Sequence, residues 1–222
     1  MHNFFKHLKT VNTHRFWVWH YARLAGIGLR GFFHDISKYS YTEFSESMHY
    51  FTGTYSPIDK CKKEKGYSLA WLHHRSHNKH HREYWTDNYD LGTTCVKIPF
   101  VYCLEMICDF LAAGKTYSLN AGKDFSIQSE LDWWNAQLEH GIKMHPESLH
   151  LIHIIFLSMR ETGIENTLKN HKFLKYLKSQ YIAGDMANEL PEIIAIQPIK
   201  ILQNAADQIS KDNNIKITLT YV

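Results

Sequence analysis

The stretch Ile98–Ala113 is apolar almost throughout, yet it carries two carboxylates, Glu105 and Asp109, four residues apart. A run this long and apolar, with Pro99 in its first turn, predicts a helix inside a protein core. A carboxylate there is strongly destabilising unless a cation or a metal ion pairs with it. The chain must therefore fold so that other elements bring partners to Asp109, and a metal ion is the natural one.

The rest of the sequence offers helices to do this. Helical periodicity of apolar residues predicts segments over 13–29, 31–38, 41–51, 68–82, 97–117, 126–142, 146–162 and 165–181. Several have recognisable starts: Thr13 as an N-cap, Ser40 or Thr42 before Glu43, Ser126 before Glu130, and Pro146-Glu147. The expected fold class is all-α, a helical bundle. With 222 residues and 44% hydrophobic content, the chain can bury one sizeable core. The lysine-rich stretch from Gly53 to Gly66 reads as a solvated surface loop, with a lid or phosphate contact as the alternative. After Ala183 the pattern changes to Pro191 and Pro198, a short helix over 202–211 and strand-like alternation over 215–222. We read residues 1–182 as a metal-binding helical domain and 183–222 as a short C-terminal appendage.

Candidate partners for Asp109 cluster upstream. His34 and Asp35 are adjacent, and Lys38 lies one helical turn on, where it would share their face. A histidine nitrogen and a carboxylate oxygen can bind one divalent ion together, or the carboxylate can bridge two. His14 lies about twenty residues earlier. Between His73 and His81 five histidines occupy nine positions, of which His74, His80 and His81 are expected to be ligands, with His73 beside them. Glu43, Glu83 and Glu105 suit an outer role beside His73, fixing imidazole tautomers. Tyr39, Trp71, Trp85, Trp133 and Trp134 read as core residues.

In order, His14, His34-Asp35, the histidine cluster and Asp109 resemble the H…HD…H…D signature of the HD-domain superfamily of metal-dependent phosphohydrolases. His34-Asp-Ile-Ser-Lys38 is similar to the HD-x-G-K motif of its cyclic-dinucleotide phosphodiesterases, His80-His-Arg-Glu-Tyr-Trp85 to their HHE-R-W segment, and Cys108-Asp-Phe-Leu-Ala-Ala113 to their D-x-x-D-A-L helix. Ser37 replaces a glycine, no Gly-Tyr-Pro follows the double histidine, and Ala112 stands where a second Asp is usual. These departures point to a divergent branch. Over roughly residues 5–182 the chain resembles an uncharacterised family of bacterial and phage proteins, some of which carry a catalase label.

The resemblance implies an HD-domain-like bundle with one or two divalent ions (Mn, Fe, Zn or Ni) held by His14, His34, Asp35, His74, His80, His81 and Asp109. Asp35 and Lys38 would be catalytic, with Lys38, Arg30 or Arg75 neutralising transition-state charge. The expected activity is hydrolysis of a phosphate ester, of a nucleotide or cyclic nucleotide, by activated water. Two alternatives stay open: a di-iron oxygenase of HD type, and a non-catalytic metal- or nucleotide-binding protein. The partner is then a small phosphorylated substrate. A net charge of +3 with no basic run argues against stable nucleic-acid binding. The apolar stretches are too short or too interrupted to cross a bilayer, and the expectation is a cytoplasmic protein, with homodimerisation left open. Cys61, Cys95, Cys103 and Cys108 show no CxxC spacing and are expected to be free thiols.

Overall fold

The computed structural model of the chain describes residues 2–89 and 92–184, so the appendage beyond Gly184 lies outside the described residues. The described residues form ten α-helices and one two-stranded hairpin, an all-α bundle as the periodicity predicts. Two long helices form its spine, α1 (His2–Leu24) and α6 (Phe100–Asn120). They pack against each other, and α2 (Gly28–Phe33) packs on α1. Gly31 permits that second crossing: a Cβ there would collide with the Ala22 side chain and lie 3.1 Å from Trp19 Cα.

The central helix α6 separates the apolar core from a polar interior. Leu104, Ile107, Cys108 and Leu111 are buried in the core, where they join α7 (Ile127–Glu139) and α8 (Pro146–Thr162). Ile152, Ile155, Phe156 and Trp134 are fully buried there, a hydrophobic mass that supplies most of the driving force for folding. The helices α9 (Ile164–Lys169) and α10 (His171–Ala183) close this side with Leu168, Leu174 and Leu177. At its edge sits a completed polar knot. The Tyr181 hydroxyl donates to Ile98 O at 2.5 Å and lies 2.6 Å from Ser148 Oγ, which accepts from Ile98 N at 3.0 Å. Lys97 Nζ reaches both Glu147 Oε2 and Tyr181 O.

On the other side lie α3 (Tyr41–His49), α4 (Pro57–Lys65) and α5 (Leu69–His77). Each begins on a serine, Ser40, Ser56 or Ser68, whose side chain accepts from the backbone N–H three residues on. The stretch 53–66, expected to be a loop, thus contains a helix. Ser56-Pro57 is an N-cap followed by a proline at the first helical position, and Gly66 ends the helix in the left-handed region at φ 81°.

Other boundaries also differ from those read in the sequence. The first helix starts at His2, not Thr13, because nothing in residues 2–12 interrupts it, and it stops at Leu24. The expected helix 31–38 breaks at His34, and that expected over 68–82 ends at His77. Asn170 caps a new helix within 165–181. The hairpin of β1 (Thr86–Tyr89) and β2 (Gly92–Cys95), paired from Thr86 with Cys95, was not foreseen. The four cysteines are free, as expected.

Candidate metal centre

A backbone break explains why His34 and Asp35 can act together. The helix α2 ends at Phe33, His34 is extended at ψ 134°, and Asp35 adopts φ 54°. Asp35 is the one non-glycine among the described residues with positive φ. Neighbours on a continuous helix diverge by about 100°; here the left-handed residue turns both side chains to one spot. Such backbone is disfavoured outside glycine and concentrates at functional sites. Arg15 on α1 braces the turn, donating from Nε to His34 O at 2.9 Å and from Nη2 to Phe32 O at 2.7 Å. Lys38 follows on a 3-10 turn (Ile36–Tyr39) rather than on the expected helix, and its ammonium lies 2.5 Å from Asp35 Oδ2.

The two oxygens of Asp35 face different partners. Toward Oδ2 come His34 Nε2 at 3.1 Å and His14 Nε2 at 3.7 Å. These nitrogens lie 3.4 Å and 3.0 Å from Asp109 Oδ1, so α1, the His34-Asp35 turn and α6 converge. Toward Oδ1 come His74 Nε2 at 3.4 Å and His80 Nε2 at 3.5 Å. His14, His34, Asp35 and Asp109 form one group of metal-ligating atoms lying within 4.8 Å of one another; Asp35, His74, His80 and His81 form a second. Asp35 belongs to both, the arrangement expected of a carboxylate bridging two ions. His34, His80 and Glu105 form a third, overlapping group.

Carboxylates behind the imidazoles fix their tautomers. Glu105 Oε1 lies 3.1 Å from His34 Nδ1, and Glu43 reaches His74 Nδ1 and His73 Nδ1, both at 2.7 Å. A proton on each Nδ1 leaves the Nε2 lone pairs of His34 and His74 aimed at the cluster. Asn78 donates to Ser37 Oγ and to His74 O, each at 2.8 Å.

Within this cluster His14 Nε2, His34 Nε2, both oxygens of Asp35, His80 Nε2 and His81 Nε2 are buried without a hydrogen-bond partner. Buried polar atoms are normally satisfied; Lys38 ion-pairs with Asp35 Oδ2, and for the other five a divalent cation fits as the missing partner. Four of the charge states match those of metal ligands. Burial would raise the Asp35 carboxyl, but His34, Lys38 and His74 hold it well below the carboxylate range. Asp109 is likewise held low, against burial, by His14 and His34. Burial first, then His80 and His74, keeps His81 well below the usual imidazole range, and burial with His34 lowers His80. Ionised carboxylates and neutral imidazoles are the forms that ligate metals; burial would lower His34, but Asp35, Asp109 and Glu105 hold it well above the usual imidazole range, so it gives up a proton when a metal binds.

All seven residues expected to bind metal are brought together. Of the four expected behind them, Glu43, Glu105 and His73 take such places. Glu83 does not: it pairs with Arg82 at 3.1 Å on a separate depression, because the 3-10 turn Arg82–Trp85 directs it away. Arg75 lines that same depression, and Arg30 is engaged with Glu105 and stacked over Tyr102, so neither faces the cavity described next. Trp134 is core, whereas Tyr39 and Trp133 are exposed and Trp71 lines the cavity. Arg15 and Asn78 escaped sequence reading, since neither ligates and no spacing marks a residue that braces backbone.

A cavity of about 190 Å³ opens against the cluster. Val11, Phe51, Ile58, Trp71 and Ala113 give it apolar walls, while His14, Lys38, His74, His81 and Asp109 form its polar side. None of the α4 lysines lines it; Lys62 instead stacks over Trp71, and Lys65 over Tyr50.

Residues 3–195 match a family of unknown function, DUF5662. No curated protein and no solved structure matches the chain. Among the described residues no helix is long and apolar enough to cross a membrane.

Proposed function

The chain belongs to the DUF5662 family, and we propose that it is a metal-dependent phosphohydrolase acting on a small phosphate ester, with a nucleotide as the preferred substrate class. The observation that carries this reading is the bridging position of Asp35 between two sets of imidazoles, with Oδ1 unsatisfied and Oδ2 ion-paired to the Lys38 ammonium. His14, His34, Asp35 and Asp109 would hold one ion, and Asp35 with His74, His80 and His81 a second. Bound there, divalent ions supply Lewis acidity that makes water a nucleophile near neutrality and offsets phosphoryl charge.

The chain's own residues do the rest. Lys38 stays charged because Asp35 and Asp109 outweigh the opposing effect of burial. On the cavity wall it neutralises charge that develops on the phosphoryl oxygens. Glu43 and Glu105 keep His74 and His34 in the ligating tautomer, and the apolar walls thin out competing water. No serine or cysteine nucleophile is required.

Purification without chelator, followed by elemental analysis and assay with aryl phosphate mono- and diesters, tests the reading. One or two equivalents of Mn, Zn, Ni or Fe with turnover is the expected result. Asp35→Ala should lower metal content and turnover by more than about a hundredfold. Iron with an oxygen-sensitive spectrum and no hydrolysis would replace this reading with the oxygenase; absence of any metal would overturn both.

A further inference from the structure

His7 and Thr116 repeat, two helical turns away, the placement of His14 and Asp109. His7 lies seven residues before His14 on α1, and Thr116 seven residues after Asp109 on α6. At 1.5 Å per residue each sits about 10 Å along its helix from the metal-facing residue and on the same face. From the His14–Asp109 contact the step down α1 and the step up α6 run in the same direction. Farther along it, Asn120 Nδ2 donates to Thr10 Oγ1 at 3.1 Å. His7 and Thr116 line the cavity that opens on the cluster.

Both carry a buried polar atom with no partner, His7 Nδ1 and Thr116 Oγ1, on residues only 5% and 1% exposed. Neither belongs to a metal-ligating group. Phe44 and Phe51 fix the imidazole, with ring centroids 4.8 and 5.2 Å away. Burial, with a smaller effect from Lys38, pushes His7 down to about 4, so at neutral pH it offers one donor and one acceptor nitrogen. Unsatisfied polar atoms at the end of an apolar cavity destabilise the empty protein and are satisfied by a ligand that reaches them.

We propose that His7 Nδ1 and Thr116 Oγ1 are specificity contacts, binding an uncharged hydrogen-bonding group at the end of the substrate farthest from the metal cluster. This rests on the phosphohydrolase reading and narrows it. The substrate is a phosphate ester whose leaving group is a compact apolar body with a hydroxyl, carbonyl or amide about 10 Å from the metal-facing end. The cavity of about 190 Å³ is smaller than the roughly 300–1,000 Å³ typical of drug-sized ligands, which suits a one- or two-ring body.

The test measures binding of two leaving groups, 2-naphthol and naphthalene-2,6-diol, to the full-length protein as purified, by fluorescence titration. The wild type should bind the diol about three- to tenfold more tightly. Thr116→Val, which keeps shape, and His7→Phe should each shrink that preference to less than about twofold. Equal affinity for the two alcohols, or a preference that survives in Thr116→Val, overturns the proposal. Should His7→Phe fail to fold, Thr116→Val decides alone. Hydrolysis of 2-naphthyl phosphate is scored separately: turnover without diol preference removes only the specificity assignment, and preference without turnover removes only the phosphohydrolase reading.

Discussion

Two buried polar assemblies lie on either side of α6, equally deep and differently completed. Around Tyr181, Ser148 and Ile98 each polar atom is answered from within the protein, and Lys97 and Glu147 pair beside them. Around Asp35 six atoms have no hydrogen-bond partner. Ser148 is 0% and Asp35 1% exposed, so depth does not separate them. The first assembly stabilises the fold as it stands, whereas the second has atoms placed where a metal ion could complete it.

The comparison is sharpest at Glu130, a buried carboxyl on α7 that joins neither assembly. It packs against Gly114, where any Cβ would strike the carboxyl. Burial and, secondarily, Asp109 push it up to about 8. A folded-state value above the unfolded 4.5 means that its contribution is intact below 4.5 and is lost as pH rises through 8. Glu130→Gln should therefore match wild type at pH 4 and exceed its stability by on the order of a few kcal/mol at pH 8. Denaturant melts across that range check this; parallel curves would mean that Glu130 is ionised and partnered.

A smaller effect is expected from Glu43→Gln, which leaves the seven candidate ligands in place but loosens His74. Metal affinity should fall roughly 10- to 100-fold, read by competition with a chromogenic chelator. Unchanged affinity would place His74 outside the metal site. Tyr181→Phe breaks the completed assembly and should cost about 1–2 kcal/mol in chelated and metal-loaded protein alike. His81→Phe should do the opposite in the chelated protein, adding about 1 kcal/mol by removing an unsatisfied imidazole while weakening metal binding. If His81→Phe destabilises the chelated protein as Tyr181→Phe does, the distinction between the two assemblies fails.

Much of this was legible in the sequence because ligands leave patterns. Asp109 stands out against its apolar helix, and His34-Asp35 is a pair whose chemistry does not depend on knowing the backbone. The backbone itself was less legible. A left-handed Asp35 has no sequence mark, so the periodicity runs a helix over 31–38 straight through the turn that brings the pair together. The same smoothing placed His80 and His81 on a helix that ends at His77, although both reach the cluster. Glu83 looked equivalent to Glu43, and only the path of the chain between 78 and 85 separates them. The seven-residue spacing of His7 from His14 is a usable signal, hidden when Thr13 is read as the start of the first helix.

The helix α6 carries Leu104, Ile107 and Leu111 into the core on one face and Glu105, Asp109 and Thr116 into the polar interior on the other. A single rigid rod thereby makes the occupancy of one side a mechanical load on the other. Hydrogen exchange at amides of α8 and α10, which contribute no candidate ligand, should slow when metal is added, so that the apolar side of the molecule reports on the candidate metal centre.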